Sequence, residues 1–411
     1  MGIYLNPGRA GFEQALNSDF YVDKTGIIGY LNSVLNTMEK YVCVTRPRGF
    51  GKTLTAEMIG AYYDREAGSR ELFAKCLISR DPSGSRGSWD KHLGQFDVIR
   101  LVMTDFMRET GSADQILDCL SGKVIAELRE AYPGVSYGGR INLRTVMDRI
   151  CRSTSRKFVI IIDEWDAVFR ERPDDIQGQK QYQEFLRCWL KDKAYVALAY
   201  MTGILPIRKF GSQSALNMFS EFSMTCPLPM APYTGFTDEE VRRLCGRYGM
   251  DPGEIIAWYG GYRLADWIPV ERRRHCREIP GSESKIRICN PFSVIRALRS
   301  GKTACYWNDP ETETGEALRS YTDRDFAGLK EVVAVLLAGG RVPVDISCFQ
   351  NDLITFSSRD DILTLLIHLG YLGYDEDTLD VFIPNREVLE LFRKSARNGD
   401  GTAPFPAGVP V

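Results

Sequence analysis

The 411-residue chain has no apolar run near the ~18 residues that a membrane-spanning helix needs. Its first residues, MGIYLNPGRAGFEQ, hold no apolar signal core. Asn6 stands where a myristoylation signal beginning at Gly2 would need Ser or Thr. Histidine is scarce. His92, His275 and His368 lie far apart and offer no metal-ligand spacing. The 11 cysteines are scattered singly, with Cys276 and Cys289 the closest pair and no C-x-x-C, so neither a zinc knuckle nor a redox dithiol is indicated. An odd set of isolated thiols suits a reducing cytosol, and a cytoplasmic location is expected. A net charge of −2 supplies no long-range attraction for a polyanion. What remains is ordinary for a globular chain of two or three domains, 44% hydrophobic and 26% charged.

The informative stretch runs from Tyr41 to Thr53, YVCVTRPRGFGKT. Tyr41 to Val44 reads as a buried strand, Pro47, Gly49 and Gly51 as a loop, and Lys52-Thr53 as the start of a helix with Leu54, Met58, Ala61 and Tyr62 on one face. Strand, glycine loop, Lys-Thr and helix are the context of a phosphate-binding loop. Backbone N–H groups there cradle phosphates, the lysine reaches the β and γ oxygens, and the Thr hydroxyl holds Mg²⁺. The expected nucleotide contacts are Arg48, Gly49, Phe50, Gly51, Lys52, Thr53 and Leu54. Without ligand, the Lys52 ammonium is expected to stand in solvent. Arg46 occupies the first glycine position of the full pattern, and the bland alternative is a strand–turn–helix with a surface lysine.

A second segment, Lys157 to Asp166 (KFVIIIDEWD), places five apolar residues before two acids. Such a run fits a strand buried on both faces, as in a parallel sheet, with Asp163 and Glu164 delivered to its carboxyl end. Asp163 would hold Mg²⁺ and Glu164 would take the proton of an attacking water. The alternative is a solvated acidic turn. Tyr195 to Met201 reads as a further strand ending at Thr202, a position suited to sensing a γ-phosphate or merely to terminating a strand.

Strands also fit Phe96 to Met103, and helices fit 113–130, 143–153 and 182–191. The alternation predicts an α/β P-loop core with a doubly wound parallel sheet over 1–226. Beyond the prolines 227, 229 and 232, residues 227–316 are expected to form a helical lid or linker, with Thr237 and Glu240 as a capping box and a short helical stretch reaching Tyr262. Arg272 to His275 reads as a solvated loop, without interleaved aromatics. Residues 317–395 read as helix (329–337), helix (after Ser358), hairpin (370–383) and helix (385–393), a winged-helix-like order. The hairpin carries Asp375, Glu376, Asp377 and Asp380 and no Lys or Arg, so it is expected to repel nucleic acid. The tail 396–411 is expected to be disordered.

Taken in order, the strings resemble the bacterial AAA-ATPase-like family, divergent P-loop proteins often fused to a PD-(D/E)xK nuclease. The likeness covers about Asp19 to Phe392. It rests on FYVDKT (Phe20–Thr25), RPRGFGKT (Arg46–Thr53), IIDEWDAVFRE (Ile161–Glu171), TGILPI (Thr202–Ile207), SALN (Ser214–Asn217), GFTDEEV (Gly235–Val241), NPFSV (Asn290–Val294) and LLIHLGYLGYD (Leu365–Asp375). It implies ATP and Mg²⁺ as cofactors, Lys52 on phosphate, Thr53 and Asp163 on the metal, Glu164 as base and Arg208 as a cation for the γ-phosphate, against a surface arginine as the alternative. It also implies that Arg46 is a family trait, and leaves Asp23 and Lys24 as structural or lining the adenine. Gly260 and Met218 depart from the family pattern. The chain stops soon after IPNREV (Ile383–Val388), where the nuclease would begin, and holds no nuclease carboxylate set. It reads either as a truncated form or as a member without the nuclease, and no cleavage of nucleic acid is expected.

The reading is therefore a Mg²⁺-dependent ATPase coupled to a conformational switch. Its rival is a nucleotide-binding switch or scaffold with little hydrolysis. No guanine-reading N/T-K-x-D string occurs, which favours ATP over GTP. The residues name neither a protein partner nor an oligomeric state.

Overall fold

β-Branched and apolar runs become the strands of one sheet. In the computed structural model of the chain, the described residues are 2–80, 88–110, 113–139, 141–207, 215–265, 285–307, 328–347, 349, 356 and 358–397. The expectations for Arg208, for Ser214, for Arg272 to His275 and for residues 398–411 lie outside them.

The sheet contains β1 (Tyr41–Thr45), β2 (Asp97–Val102), β3 (Phe158–Asp163), β4 (Val196–Gly203) and β5 (Ser220–Phe222), in the order β2-β3-β4-β1-β5. β2 with β3, β3 with β4, and β4 with β1 are parallel. This five-stranded sheet with its helices is the α/β core that the alternation of strands and helices predicts. β4 lies between β1, which leads into the Lys52 loop, and β3, which ends at Asp163, so Thr202 is in register with Asp163 on one side and Val44 on the other. Every residue of β1, β3 and β4 is buried, as parallel strands covered on both faces require.

Alternation along the strands assigns the two faces. Cys43, Ile99, Leu101, Ile160, Ile162 and Met201 join one core with residues of the helices Ala113–Ala131, Leu143–Thr154 and Ile176–Leu190, among them Leu120, Leu128, Met147, Ile150 and Trp189. The helix Lys52–Tyr63 covers the opposite face. A Cβ on its Gly60 would lie 3.6 Å from Ile161 Cδ1 and 3.9 Å from Val98 Cγ1. Each buried Ile or Leu contributes roughly 1.5–3 kcal/mol, so Ile160→Ala would cost about 2–5 kcal/mol once the cavity is counted.

Boundaries differ from expectation where side chains cap or redirect the chain. The third helix begins at Ile176, because the Asp175 carboxylate accepts the Gly178 N–H at 2.8 Å. β2 ends at Val102, and Met103 opens a helix to Glu109.

The chain divides into two compact units. One holds the described residues of Met1–Thr45 and Lys52–Glu221. The other holds those of Arg46–Gly51, Phe222–Gln350 and Thr355–Val411. In the second unit the expected capping box is formed. Thr237 N–H donates to Glu240 at 2.7 Å, Glu240 N–H donates to Thr237 Oγ1 at 3.3 Å, and the helix Asp238–Tyr248 follows.

The region read as a helical linker also contains a sheet, which corrects that expectation. The helix Pro252–Tyr259 stops short of Tyr262, which instead opens β7 (Tyr262–Ala265). β7 pairs antiparallel with β8 (Lys285–Cys289), and β8 pairs with β6 (Phe236–Thr237). Two to five residues are too few to show a period.

Leu329–Leu337 is helical as expected, and the Ser358 side chain caps Arg359–Leu369. The hairpin β10 (Gly373–Asp375) and β11 (Asp380–Phe382) is extended by β9 (Val342–Pro343) and followed by the helix Arg386–Arg397.

The hairpin is also less acidic than its composition suggests. Asp375 is buried and bonded to Lys285 at 2.6 Å, Arg341 at 3.2 Å and Arg263 at 3.4 Å. Burial pushes its carboxyl up, but Lys285 and Arg341 carry it down to about 2. Among the described residues no helix is long and apolar enough to cross a membrane.

Candidate functional site

β3 delivers Asp163 to the carboxyl edge of the sheet, fully buried. Asp163 Oδ1 accepts the Glu164 N–H at 3.0 Å, whereas Oδ2 is buried without a hydrogen-bond partner. Burial raises the carboxyl's pKa, and the Thr53 hydroxyl and the charge of Lys52 oppose that rise. Glu164 follows at φ 52°, the left-handed region that costs a non-glycine residue about 1–2 kcal/mol. The turn is held in place by Trp165, whose N–H donates to Thr202 O at 3.0 Å and whose indole N–H donates to Leu205 O at 3.2 Å.

Lys52 stands at the first position of its helix and is only 8% exposed. Burial lowers its pKa to about 8, against the pull of Asp166, Asp163 and Glu164. The expected solvated ammonium is thus a buried one, and beside it stands a carboxylate outside the expected set. Asp166 Oδ2 accepts the N–H groups of Ile204 and Leu205 at 3.1 and 2.9 Å and pairs with Arg170 Nε at 3.0 Å. Arg170 also reaches Glu164 at 3.6 Å. Burial disfavours its charge, but Asp166 and Glu164 outweigh that and hold its pKa up. Gly203 permits the approach, since a Cβ there would meet Asp166 Oδ1 at 2.4 Å and Trp165 Cδ1 at 2.7 Å.

Lys52 and Arg170 therefore share a pocket of charge with Asp163, Glu164 and Asp166. Two cations face three carboxylates, one net negative charge. An acidic excess with a buried, partnerless carboxylate oxygen beside a Thr hydroxyl fits a divalent cation. Among the described residues no group of three His, Cys, Asp or Glu could hold a metal alone. Mg²⁺ at Thr53 and Asp163 would therefore need water and nucleotide oxygens to complete its shell, which is its usual habit.

The loop Arg46–Gly51 joins β1 to the Lys52 helix along the chain. Gly49 and Gly51 have φ of 79° and 82°, a conformation that suits glycine. No atom lies within 4 Å of a Cβ built on Gly51, so its requirement is conformational alone. Within the second unit the loop is tightly held. Gly49 O accepts the Phe292 N–H at 3.3 Å, Phe50 O accepts the Gly235 N–H at 3.1 Å, and the Phe50 ring meets Tyr262 edge-on at 5.4 Å. Arg46 is buried and donates to Phe222 O at 2.9 Å. That places it as an anchor, where a first glycine would leave a gap. Arg48 is exposed.

In the first unit, Lys52, Asp163 and Glu164 come together, Thr53 lies at Asp163, and Thr202, in register with Asp163, has a buried, partnerless Oγ1. Asp23 holds a turn. Its carboxylate accepts the Thr25 N–H at 2.8 Å and the Leu77 N–H at 2.7 Å. Asp166 and Arg170 were missed. Their four-residue separation inside the acidic string was the available signal, since i,i+4 residues of opposite charge meet on a helix.

A family model described as Predicted AAA-ATPase matches residues 9–212. A curated relative from Azotobacter chroococcum mcd 1, an uncharacterized protein in the vnfD 5' region, is 23% identical over 308 residues, 72% of this chain and 51% of its own length. The chain thus spans about half the length of that relative. Two solved structures resemble the chain loosely. Cdc6p from Pyrobaculum aerophilum is 10% identical, with 90% of this chain and 92% of that one covered and a TM-score of 0.28. The Aeropyrum pernix ORC2 protein, solved as ADPNP-ADP complexes, is 11% identical, with 94% and 97% covered and a TM-score of 0.34. Likenesses this distant transfer no residue and no activity.

Proposed function

Residues 9–212 belong to the AAA-ATPase-like family, and from that premise we propose that the chain binds ATP with Mg²⁺ and hydrolyses it. The observation that carries the reading is the buried Lys52 ammonium among Asp163, Glu164 and Asp166, with Thr53 on Asp163. The ammonium and the N-terminal amides of its helix favour phosphate charge. Thr53 and Asp163 would hold Mg²⁺, which when bound screens the charge between the β- and γ-phosphates. Glu164 accepts the proton of the attacking water. Thr202, with its partnerless hydroxyl in register with Asp163, is the γ-phosphate sensor of this proposal.

A second reading, a nucleotide-driven conformational switch with slow turnover, is favoured by one contact. Arg170 lies 3.6 Å from Glu164, and this ion pair holds the carboxylate back from an attacking water. Phosphate release from the full chain with ATP, with and without Mg²⁺, decides between them. Metal-dependent release above background supports hydrolysis. Tight ATP binding without release supports the switch. Neither binding nor release refutes both.

A further inference from the structure

The second unit contains a cavity of about 350 Å³, within the range of small-molecule sites. Leu336, Phe382 and Pro384 supply apolar wall, and Arg263, Arg287 and Arg341 supply charge. The three arginines come from β7, from β8 and from the turn after the Leu329–Leu337 helix. Arg263 and Arg341 both lie over the Phe382 ring, at 5.7 and 4.8 Å, which fixes the guanidinium planes.

The local charge is unbalanced. Arg263, Arg341 and Lys285 all converge on one carboxylate, Asp375. Lys285 takes Asp377 as well, and Arg287 pairs with Asp238 at 2.7 Å. Among the described residues, four cations thus pair with three carboxylates here. Among the described residues, each arginine engages its carboxylate through a single terminal nitrogen, Nη1 for Arg263 and Arg341 and Nη2 for Arg287. A guanidinium has five N–H donors, so most of the fork capacity is left for another acceptor.

We propose that this cavity binds a phosphate monoester on a compact apolar body, as a ligand site separate from the Lys52 site. Forks from three elements suit the three oxygens of a tetrahedral dianion, whereas a carboxylate presents one edge to one fork. The excess positive charge attracts it, and the Leu336–Phe382–Pro384 wall covers the ester group.

The test is calorimetric titration of the full chain with phenyl phosphate, with inorganic phosphate and benzoate as comparisons. The variants are Arg341→Gln, Arg287→Gln and Lys52→Ala. The expected result is saturable phenyl phosphate binding that is tighter than benzoate binding, unchanged in Lys52→Ala, and weakened about tenfold or more in each arginine variant, as the loss of one charge-assisted pair implies. If Arg341→Gln does not fold, Arg287→Gln carries the test, its side chain being 58% exposed. Equal affinity in wild type and Arg287→Gln overturns the proposal. So does loss in Lys52→Ala alone, which would place the ligand at the other site. Benzoate binding as tight as phenyl phosphate overturns the phosphate assignment. Arg287-dependent binding of an oligonucleotide without phenyl phosphate binding shows a nucleic-acid contact in place of a small-molecule site.

Discussion

Lys52→Met is expected to separate binding from stability. Methionine keeps most of the lysine's length and volume and removes its charge. In the folded chain burial lowers the Lys52 pKa from 10.5 to about 8, even after the attraction of Asp166, Asp163 and Glu164. At ~1.36 kcal/mol per pKa unit, holding the ammonium there at pH 7 costs roughly 3 kcal/mol relative to water. Lys52→Met is therefore expected to leave the melting midpoint at pH 7 unchanged or raise it, while ATP affinity falls by a hundredfold or more. The pH profile gives an independent check. A lysine whose folded pKa is depressed binds fewer protons in the folded state than in the unfolded state between about 8 and 10.5, so wild-type stability rises with pH across that window. That rise should shrink in Lys52→Met. Thermal melts from pH 7 to 10.5, paired with calorimetric ATP titration, read both effects. A drop in the pH 7 midpoint equivalent to more than about 1 kcal/mol would refute the reasoning, because the ammonium would then be holding the carboxylates together.

Glu164→Gln should keep ATP affinity and lose ~10²- to 10⁴-fold in phosphate release, as the loss of a general base predicts; release equal to wild type would remove Glu164 from that role. Asp375→Asn should destabilise the second unit by about 2 kcal/mol at pH 7, following its depressed pKa of about 2. The wild-type contribution is present above pH ~3.8 and disappears as pH falls toward 2, so the variant's acid melting curve should converge on wild type there. Duplex DNA should bind weakly at ~0.15 M salt and remain uncut, given a net charge of −2; sub-micromolar, salt-sensitive retardation or any metal-dependent cleavage in a gel assay would contradict this.

The parts of the site that could be read from the chain alone were those whose chemistry is contiguous. The Tyr41 strand, the glycine loop and Lys52 are neighbours in sequence, and a run like Phe158 to Ile162 has few stable homes besides a covered parallel strand. The burial of Lys52 beside Asp166 and Arg170 could not be read, because those two charges lie more than a hundred residues away along the chain. Arg170 sits on a helix of five residues, Ala167–Glu171, too short for a periodic signal. The β6–β8–β7 sheet escaped for a related reason, since each strand is short and the pairing of β6 with β8 is distant along the chain. Asp375 looked like an exposed acid because its cations, Arg263, Lys285 and Arg341, belong to other elements.

The most direct test of the central claim is ATP titration of the full chain by calorimetry, with Mg²⁺ and then with the metal chelated, beside the same titration of Lys52→Ala. One ATP per chain, weakened by chelation and abolished in Lys52→Ala while that variant still melts cooperatively, is the predicted result. ATP binding of equal strength in the folded Lys52→Ala variant would contradict the assignment of the Lys52–Asp163 site.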